Sequence, residues 1–428
     1  MAYLSPPQKN VYENWENPEC INDEHYRNMT ECGFTYAIGL FEDKEEYYHR
    51  GLAVSERNGV RYMVRDQFAG NSLEWIIDNR GADGTSEELL QKCGNAIAER
   101  FASYERSPAF CGLLASDEPC AAKFPAIAKV QEWFYARFPA AEFEVNLLPT
   151  YASAEQLSGV ADRPYTYKQY LDDYMRIVKP RSLSYDFYAL GKAPDGSLTI
   201  HPDYLHNLEL VANKAKEHAI PFYVFLLTMG HWAFRTPAKY SEIAWQVYPA
   251  MAYGCRGAQT FTYWTLLGDH ENDGSHITHG VVGQNGEKTD TYFACKEVIA
   301  EINGFAEEYA AYEWQGSKAI PARGAPRSAM LSALETETDA CGVLESAESD
   351  GDALVGFFTK KDGGEALLVC NVTDPTPDVT VTVRLRLRAE KACVWQNGKR
   401  RALSVRDGEI VLSLRGGGGA FITFPHAA

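Results

Sequence analysis

Short apolar runs alternate with longer segments of helical periodicity over most of the chain. The short runs are rich in β-branched and aromatic residues, as strands are. The longer segments place apolar residues on one helical face, as Leu89, Ile97 and Phe101 show. This alternation is typical of a parallel sheet that is covered by helices. The predicted strands are 10–15, 34–39, 61–66, 110–115, 143–148, 182–187, 220–227 and 258–264.

Eight strands close a (β/α)8 TIM barrel, so we predict the α/β class with this fold. The segment GSKAIPARGAPRS at 316–328 is rich in Gly, Pro and Ala, which predicts a linker. Short alternating runs with turn signals follow it, which predicts a small all-β sandwich. The expected organisation is a catalytic barrel over 1–315, a linker over 316–328 and a β-sandwich domain over 329–428.

Composition narrows the expected partners and location. The formal net charge of −17 is spread along the chain, which argues against a nucleic-acid partner because phosphates demand basic surface. No run approaches the roughly 20 apolar residues that cross a bilayer, so no membrane partner is expected. No signal peptide is visible, although a trimmed leader would look the same. Ten cysteines without a C-x-x-C motif fit a reducing cytoplasm, and association into a homo-oligomer is left open.

Aromatic residues are numerous and recur at the ends of predicted strands. The chain has 8 Trp and 25 Tyr, whose rings can stack on the apolar faces of sugars while their polar atoms bond hydroxyl groups. Single aromatic residues more often fill cores. In a TIM barrel, reactive groups project from the carboxyl ends of the strands. The side chains at those ends are Glu13, Glu16, Asp66, Asp117, Glu118, Asn146, Asp186, His231, Trp232, Tyr263 and Trp264.

The segment GLLASDEP at 112–119 carries two adjacent acids at the end of the fourth predicted strand. Neighbouring residues of a strand point to opposite sides, so only one acid is expected to enter the barrel mouth. The second acid can raise the pKa of the first and keep it protonated. We therefore predict Glu118 as a proton-donating acid. The alternative is that Asp117 and Glu118 cap the following helix.

The same segment resembles the strand-four signature of the clan A glycoside hydrolases, in which the acid/base Glu precedes Pro and often follows Asn. Asp117 stands in place of that Asn. The segments NLLPTY (146–151), YLDDYMRIVKPRSLSYDFY (170–188) and GCRGAQTFTYW (254–264) resemble bacterial clan A-like barrels. The resemblance covers about 30–305, and the tail resembles a β-domain often appended to such enzymes. It implies a glycoside hydrolase that uses Glu118 and needs no cofactor.

The chain departs from the clan A pattern in one respect. Clan A enzymes carry a nucleophilic Glu at the end of strand seven, where this chain reads YVFLLTMGHW without a carboxylate. The best substitute is Asp186, whose alternative role is a structural hydrogen bond, and Asp66 is next. Glu242 lies at the start of a helix and is expected to cap it. If Glu118 and Asp186 pair, a separation of about 5–5.5 Å predicts retention and about 6.5–9.5 Å inversion.

The remaining strand-end residues are predicted to bind substrate, namely Asp117, Asp66, Asn146, His231, Trp232, Tyr263 and Trp264, with Tyr263 and Trp264 as the floor of a sugar subsite. The loop GDHENDGSHITHG at 268–280 holds metal-ligand types, but its spacing matches no familiar metal site. The ligand types are those of Asp269, His270, Asp273, His276 and His279. Three hypotheses follow, in this order: a glycoside hydrolase acting on a carbohydrate, a non-catalytic carbohydrate-binding barrel, and a metal-dependent hydrolase using that loop.

Overall fold

A closed barrel of eight parallel strands forms the larger part of the fold in the computed structural model, which describes residues 1–7, 20–40, 44–68, 70–79, 84–266, 276–338 and 342–424. The strands of the barrel are β1 (Ala2–Tyr3), β2 (Tyr36–Gly39), β3 (Arg61–Val64), β4 (Phe110–Asp117), β5 (Glu142–Leu147), β6 (Leu183–Asp186), β9 (Phe222–Leu227) and β10 (Gly257–Phe261). A separate hairpin holds β7 (Leu190–Lys192) and β8 (Leu198–Ile200). The order around the barrel is β1-β10-β9-β6-β5-β4-β3-β2, which confirms the predicted fold class.

The first strand of the barrel differs from the predicted one. β1 has two residues, and Ala2 pairs with Ala37 on one side and with Thr260 on the other. The predicted strand at 10–15 lies outside the described residues, as do Glu13 and Glu16. The other seven predicted strands overlap the observed ones, because their apolar residues are buried on both faces of a helix-covered sheet.

Helices follow the strands and bury the stripes that the periodicity predicts. Leu89, Ile97 and Phe101 are all buried on one helix. Glu242 accepts the N–H of Ala238 at 2.8 Å at a helix start, which confirms its predicted capping role. The helices are α1 (Asp23–Cys32), α2 (Glu45–Asn58), α3 (Leu73–Asp78), α4 (Ser86–Tyr104), α5 (Phe124–Tyr135), α6 (Ala154–Ser158), α7 (Tyr167–Ile177), α8 (Tyr204–Glu217), α9 (Tyr240–Ala252), α10 (Asp290–Asn303), α11 (Ala306–Ala310) and α12 (Ala329–Ser332), with a 3-10 turn at Ala121–Lys123.

The C-terminal part consists of two antiparallel sheets. One has the order β11-β13-β14-β19-β16-β17 and the other the order β12-β15-β18, with bounds β11 (Glu313–Ile320), β12 (Leu344–Ser349), β13 (Ala353–Thr359), β14 (Glu365–Asn371), β15 (Val381–Leu387), β16 (Lys391–Gln396), β17 (Lys399–Ser404), β18 (Glu409–Leu414) and β19 (Gly419–Thr423). Both sheets contribute to one apolar core, with Val355 and Leu367 from the first and Val383 and Leu412 from the second. This arrangement confirms the predicted β-sandwich.

The linker predicted at 316–328 is wrong over its first five residues. These belong to β11, which pairs with β13 from Glu313 to Ile320. The small residue that suggested a linker has a packing reason, because a Cβ at Gly316 would lie 1.8 Å from Cγ2 of Thr338. Glycine here permits close approach to another segment and does not loosen the chain.

The described residues also group into two compact units. The first holds Met1–Phe187, Tyr223–Phe225 and Gln259–Lys288, and the second holds Tyr188–Phe222, Leu226–Ala258 and Thr289–Ala428. The functional division into a barrel up to 315 and a β-domain from 329 stays a prediction. None of the helices in the described ranges combines the length and the apolar character that crossing a membrane requires.

Candidate active site

Three acids meet around one asparagine at the carboxyl ends of β4, β5 and β6, all within the first unit. Asp117 lies opposite Asn146 across the β4–β5 ladder. The side-chain amide of Asn146, which is 3% exposed, donates to Asp117 Oδ1 at 3.0 Å and to Asp186 Oδ1 at 3.1 Å. The backbone N–H of Glu118 donates to the carbonyl of Asn146 at 2.8 Å. The sequence predicted that these four residues lie close together.

Glu118 leaves the strand in a left-handed backbone conformation, with φ at +47°. Such a conformation costs a non-glycine residue about 1–2 kcal/mol and is often found at functional sites. It breaks the alternation of β4, so Glu118 and Asp117 both reach the same cluster. The expectation that only one of the two acids could enter the mouth is therefore wrong.

The carboxyl groups of Glu118 and Asp186 are joined by a hydrogen bond. Asp186 is 1% exposed, and burial, followed by the charges of Glu118 and Asp117, holds its pKa well above the usual range. Glu118 is an exposed residue whose carboxyl pKa is also raised, by desolvation and then by Asp117, while the bond to Asp186 opposes that rise. The interaction raises the pKa of Asp186 and lowers that of Glu118, so the electrostatics of the pair favour a proton on Asp186. Sequence reasoning had placed the proton on Glu118.

This contact sets the distance between the two carboxyl groups. Hydrogen-bonded carboxyl oxygens lie closer together than the separations of about 5–5.5 Å and about 6.5–9.5 Å that accompany retention and inversion. Because Glu118 is exposed and Asp186 is buried, Glu118 is the side chain that can turn away.

Asp117 is held by donors that the sequence did not single out. Its Oδ2 accepts from the Tyr3 hydroxyl at 3.3 Å and from Arg65 at 3.5 Å. Arg65 also donates to the Tyr3 oxygen at 2.9 Å and forms an ion pair with Glu74 at 3.0 Å. Arg65 directly follows the strand YMV, and this position at a strand end could have identified it as a site residue from the sequence. Tyr3 offered no such signal, since it lies on a strand of only two residues.

Asp66 has a structural role, so the prediction that it binds substrate is wrong. Its side chain is fully buried, and its Oδ2 accepts from Nη2 of Arg100 at 2.6 Å and from Nε at 3.2 Å. Burial raises the pKa of Asp66 to about 6, although Arg100 opposes the shift. The ion pair joins α4 to the segment that follows β3. The carboxylate has no surface with which to contact a sugar.

Tyr263 and Trp264 pack as core residues, so their predicted role as the floor of a subsite is also wrong. Each is 1% exposed. The ring of Tyr263 meets Phe34 edge-on at 5.2 Å, and that of Trp264 meets His25 edge-on at 5.0 Å. Both rings therefore fill space among their neighbours within the first unit.

Two of the predicted substrate-binding residues belong to the second unit. His231 is 6% exposed and lies against the rings of Tyr188 and Phe234, at 5.6 Å and 5.0 Å. Burial lowers its pKa, so its imidazole is neutral near pH 7. Trp232 is 67% exposed and has φ of +43°. A large indole held outward by an unfavourable backbone conformation is suited to stacking on a ligand.

The loop proposed for metal binding is described only in part. Asp269, His270 and Asp273 lie outside the described residues, whereas His276 and His279 are described and exposed. Among the residues that the structure describes, His, Cys, Asp and Glu side chains form no group of three that could hold a metal ion. The metal hypothesis stays a prediction.

A buried glutamate below the acid cluster escaped sequence analysis. Glu144 lies two residues before Asn146 on β5, and it interacts with Gln259 and Ser184. Burial raises its pKa to about 7, and those two hydrogen-bonding partners only partly oppose the shift. Its place between two apolar residues, Phe143 and Val145, could have identified it from the sequence.

Glu144→Gln is expected to remove a pH dependence of stability. The pKa of Glu144 is higher in the folded chain, at about 7, than its ordinary value of 4.5, so the folded state binds this proton more tightly. Wild-type stability therefore falls as the pH rises from about 4.5 through about 7, by about 3 kcal/mol from this group. Urea unfolding at pH 5 and pH 8 should show a smaller difference for the variant.

Glu142→Gln is the matched control, since Glu142 is exposed on the same strand. It should retain the wild-type dependence. Equal pH dependence in the wild type and in Glu144→Gln would contradict the account of Glu144.

Comparison with known proteins finds similar structures but no significantly similar sequence. No protein-family model matches the sequence, and no curated protein is significantly similar to it. A β-galactosidase from the psychrophilic Marinomonas ef1 has a similar structure, with 12% identity, a TM-score of 0.50, and 72% of this chain and 60% of that chain covered. An exo-β-1,4-mannosidase from Opitutaceae bacterium strain TAV5 has 13% identity, a TM-score of 0.49, and coverage of 72% and 60%.

The xylanase 10B of Thermotoga maritima has 13% identity and a TM-score of 0.45, with 72% of this chain and 96% of that chain covered. The chain thus spans 60% of the length of the Marinomonas enzyme. At such low identity the likeness to that enzyme concerns the fold alone. The chain has a closed (β/α)8-barrel fold that is similar to the fold of that enzyme.

Proposed function

We propose that the chain is a glycoside hydrolase in which Glu118 and Asp186 carry the proton transfers. The supporting observation is that Glu118 and Asp186 meet around Asn146 at the carboxyl ends of two neighbouring strands, with the pKa of both carboxyl groups raised. Glycoside hydrolysis requires one carboxylic acid and one carboxylate near the same bond. The cluster offers both in adjacent positions.

Hydrolysis breaks the bond between the anomeric carbon and the leaving oxygen, and water supplies the atoms that replace it. The leaving oxygen takes a proton from the pair, and the attacking water returns a proton as its oxygen bonds to the anomeric carbon. The pair begins and ends with one proton. Glu118 is the member that can reach the substrate, because Asp186 is buried. Asp186 then transfers its proton to Glu118.

Substrate entry requires a change at Glu118. The two carboxyl groups are too close to hold a sugar and a water between them, so the Glu118 side chain turns away from Asp186 as the substrate enters. The neighbouring charge of Asp117 is already balanced by Arg65 and by two neutral donors, Tyr3 and Asn146. Asp117 therefore serves better as a fixed acceptor for a sugar hydroxyl than as a proton donor.

Trp232 is proposed as a sugar-stacking platform. Trp232→Ala is expected to raise the Kd for a sugar about tenfold, because it removes an exposed aromatic face. The melting temperature should change little, since the indole is mostly in solvent. Isothermal calorimetry measures the Kd for the sugar, and a melting curve of the same variant measures its stability.

Phe293→Ala provides the matched control, because Phe293 is another aromatic residue of the second unit and is 58% exposed. It should leave the Kd for the sugar unchanged. Equal effects of the two substitutions, or none from Trp232→Ala, would count against the platform.

A second candidate function is a carbohydrate-binding barrel without catalysis. The observation that favours it is the closed contact between Glu118 and Asp186, together with a β9 end that reads LLTMGHW and has no carboxylate. A panel of nitrophenyl glycosides with α and β linkages separates the two candidates. Release of nitrophenol supports the hydrolase, whereas calorimetric binding of the corresponding sugar without release over days supports the binding protein.

A further inference from the structure

Asn146 contacts all three acids of the cluster. Its side-chain N–H groups donate to Asp117 and Asp186, and its backbone carbonyl accepts from the N–H of Glu118. An amide nitrogen carries two hydrogens and can only donate. The Oδ1 atoms of Asp117 and Asp186 must therefore both present lone pairs to Asn146.

The orientation of this amide is set from both sides. On one side, two carboxyl groups would repel its oxygen if the amide were reversed. On the other, the Ser184 hydroxyl donates to Asn146 Oδ1 at 3.2 Å, and Nε2 of Gln259 donates to Ser184 Oγ at 2.9 Å. Because Gln259 supplies a hydrogen to Ser184, the serine can donate its own hydrogen either to Asn146 or to the carboxylate of Glu144. When Ser184 donates to Asn146, the chain of donors runs in one direction, from Gln259 to the acids.

This polarity restricts where the shared proton can lie. A proton on Oδ1 of Asp186 would face an N–H of Asn146, and one on Oδ1 of Asp117 would do the same. The Oδ2 atom of Asp117 already accepts from Tyr3 and Arg65. The remaining place on the two aspartates is Oδ2 of Asp186.

We propose that Asn146 is a positioning residue that confines the shared proton to the contact between Asp186 Oδ2 and Glu118. Only the predicted effect on turnover rests on the proposed function. Asn146 does not itself take or give the proton. By favouring the ionised forms of Asp117 and Asp186, it sets the pH range over which the pair holds one proton.

Several other titratable groups lie in and around the acid cluster. They lie on β1, α3, β4, β5 and α7 and directly after β3, and all remain unchanged in the variants below. These groups are Tyr3, Arg65, Glu74, Asp117, Glu144 and Tyr170. A difference between the wild type and an Asn146 variant therefore isolates the amide.

Asn146→Ala is expected to raise both titration midpoints of the Glu118–Asp186 pair by about one pH unit, because a hydrogen bond to the charged form is lost. Carboxyl ¹³C NMR of the full chain, labelled in Asp and Glu, measures these midpoints without any substrate. If the chain is a hydrolase, both limbs of its pH–kcat/KM profile should move in the same direction by the same amount. A merely structural defect would lower the rate without moving the limbs.

Asn371→Ala is the matched control, since Asn371 is a fully buried asparagine whose amide donates to the backbone oxygen of Val379. It should leave the pair's midpoints unchanged. If Asn146→Ala does not fold, Ser184→Ala removes the hydroxyl that orients the amide and should move the midpoints upward by a smaller amount.

The NMR outcome and the activity outcome are separable. Shifted midpoints in a chain that hydrolyses no glycoside would support the role of Asn146 and reject the proposed function. Unshifted midpoints in both Asn146→Ala and Ser184→Ala, in a chain that remains active, would overturn the role of Asn146 and leave the proposed function intact.

Discussion

Replacing Glu118 with Gln is expected to reduce turnover of a glycoside by roughly 10²–10⁴-fold, the usual contribution of general acid–base catalysis. The amide has nearly the shape of the acid but cannot pass a proton from Asp186 to the leaving oxygen. The fold should survive because Glu118 is exposed and because Gln tolerates the left-handed backbone as Glu does. Steady-state kinetics and a melting curve of the purified variant measure the two effects.

The leaving group provides a sharper measurement of the same substitution. A dinitrophenyl glycoside needs little protonation of its leaving oxygen, so the deficit of Glu118→Gln should shrink on that substrate and be largest on a phenyl glycoside. Glu132→Gln, on an exposed position of α5 in the same unit, is the control and should keep full activity. A variant at Glu118 with the wild-type rate on both substrates would end the proposed mechanism.

Replacing Arg100 with Ala is expected to cost about 3–5 kcal/mol in the free energy of unfolding, because it leaves Asp66 buried without its cation. The side chain of Asp66 has no exposed surface, and that of Arg100 is 7% exposed. Urea unfolding at pH 7 measures the loss. Part of the cost should vanish at pH 5, below the folded-state pKa of Asp66 of about 6, where that carboxyl is neutral.

The double variant Asp66→Leu/Arg100→Met tests the origin of that loss. Replacing both partners by apolar residues should recover most of the stability, since no unpaired charge remains. Arg57→Ala is the matched control. The Arg57–Asp23 ion pair, at 3.0 Å, is also hydrogen-bonded, but both of its side chains are about half exposed, at 54% and 47%. This substitution should change stability little. An Arg100→Ala variant as stable as this control would refute the assignment.

The barrel and the position of the acids could be predicted because both follow from local pattern. Buried parallel strands read as short apolar runs, and the residues that follow them meet at one end of a barrel. Asp117, Glu118, Asn146 and Asp186 were all found in this way. Their hydrogen bonds were not, since they depend on side-chain geometry across neighbouring strands.

The errors share a physical cause, which is that the tertiary surroundings of a residue decide its role. The sequence does not reveal that Asp66 meets Arg100 34 positions later on α4. Aromatic residues at a strand end look alike whether their rings face a cavity or the core, so Tyr263 and Trp264 were misassigned. The left-handed turn at Glu118 was equally invisible, because non-glycine residues adopt it only when their surroundings impose it.

The pairing of β11 along β13 bears on how the β-domain could be exchanged or expressed alone. The segment from Glu313 to Ile320 supplies the outermost strand of the six-stranded sheet. A fragment that starts at residue 329 would leave the backbone N–H and C=O groups of β13 open to other chains, which invites edge-to-edge aggregation. Any transplant of this domain onto another barrel should therefore be joined before Glu313.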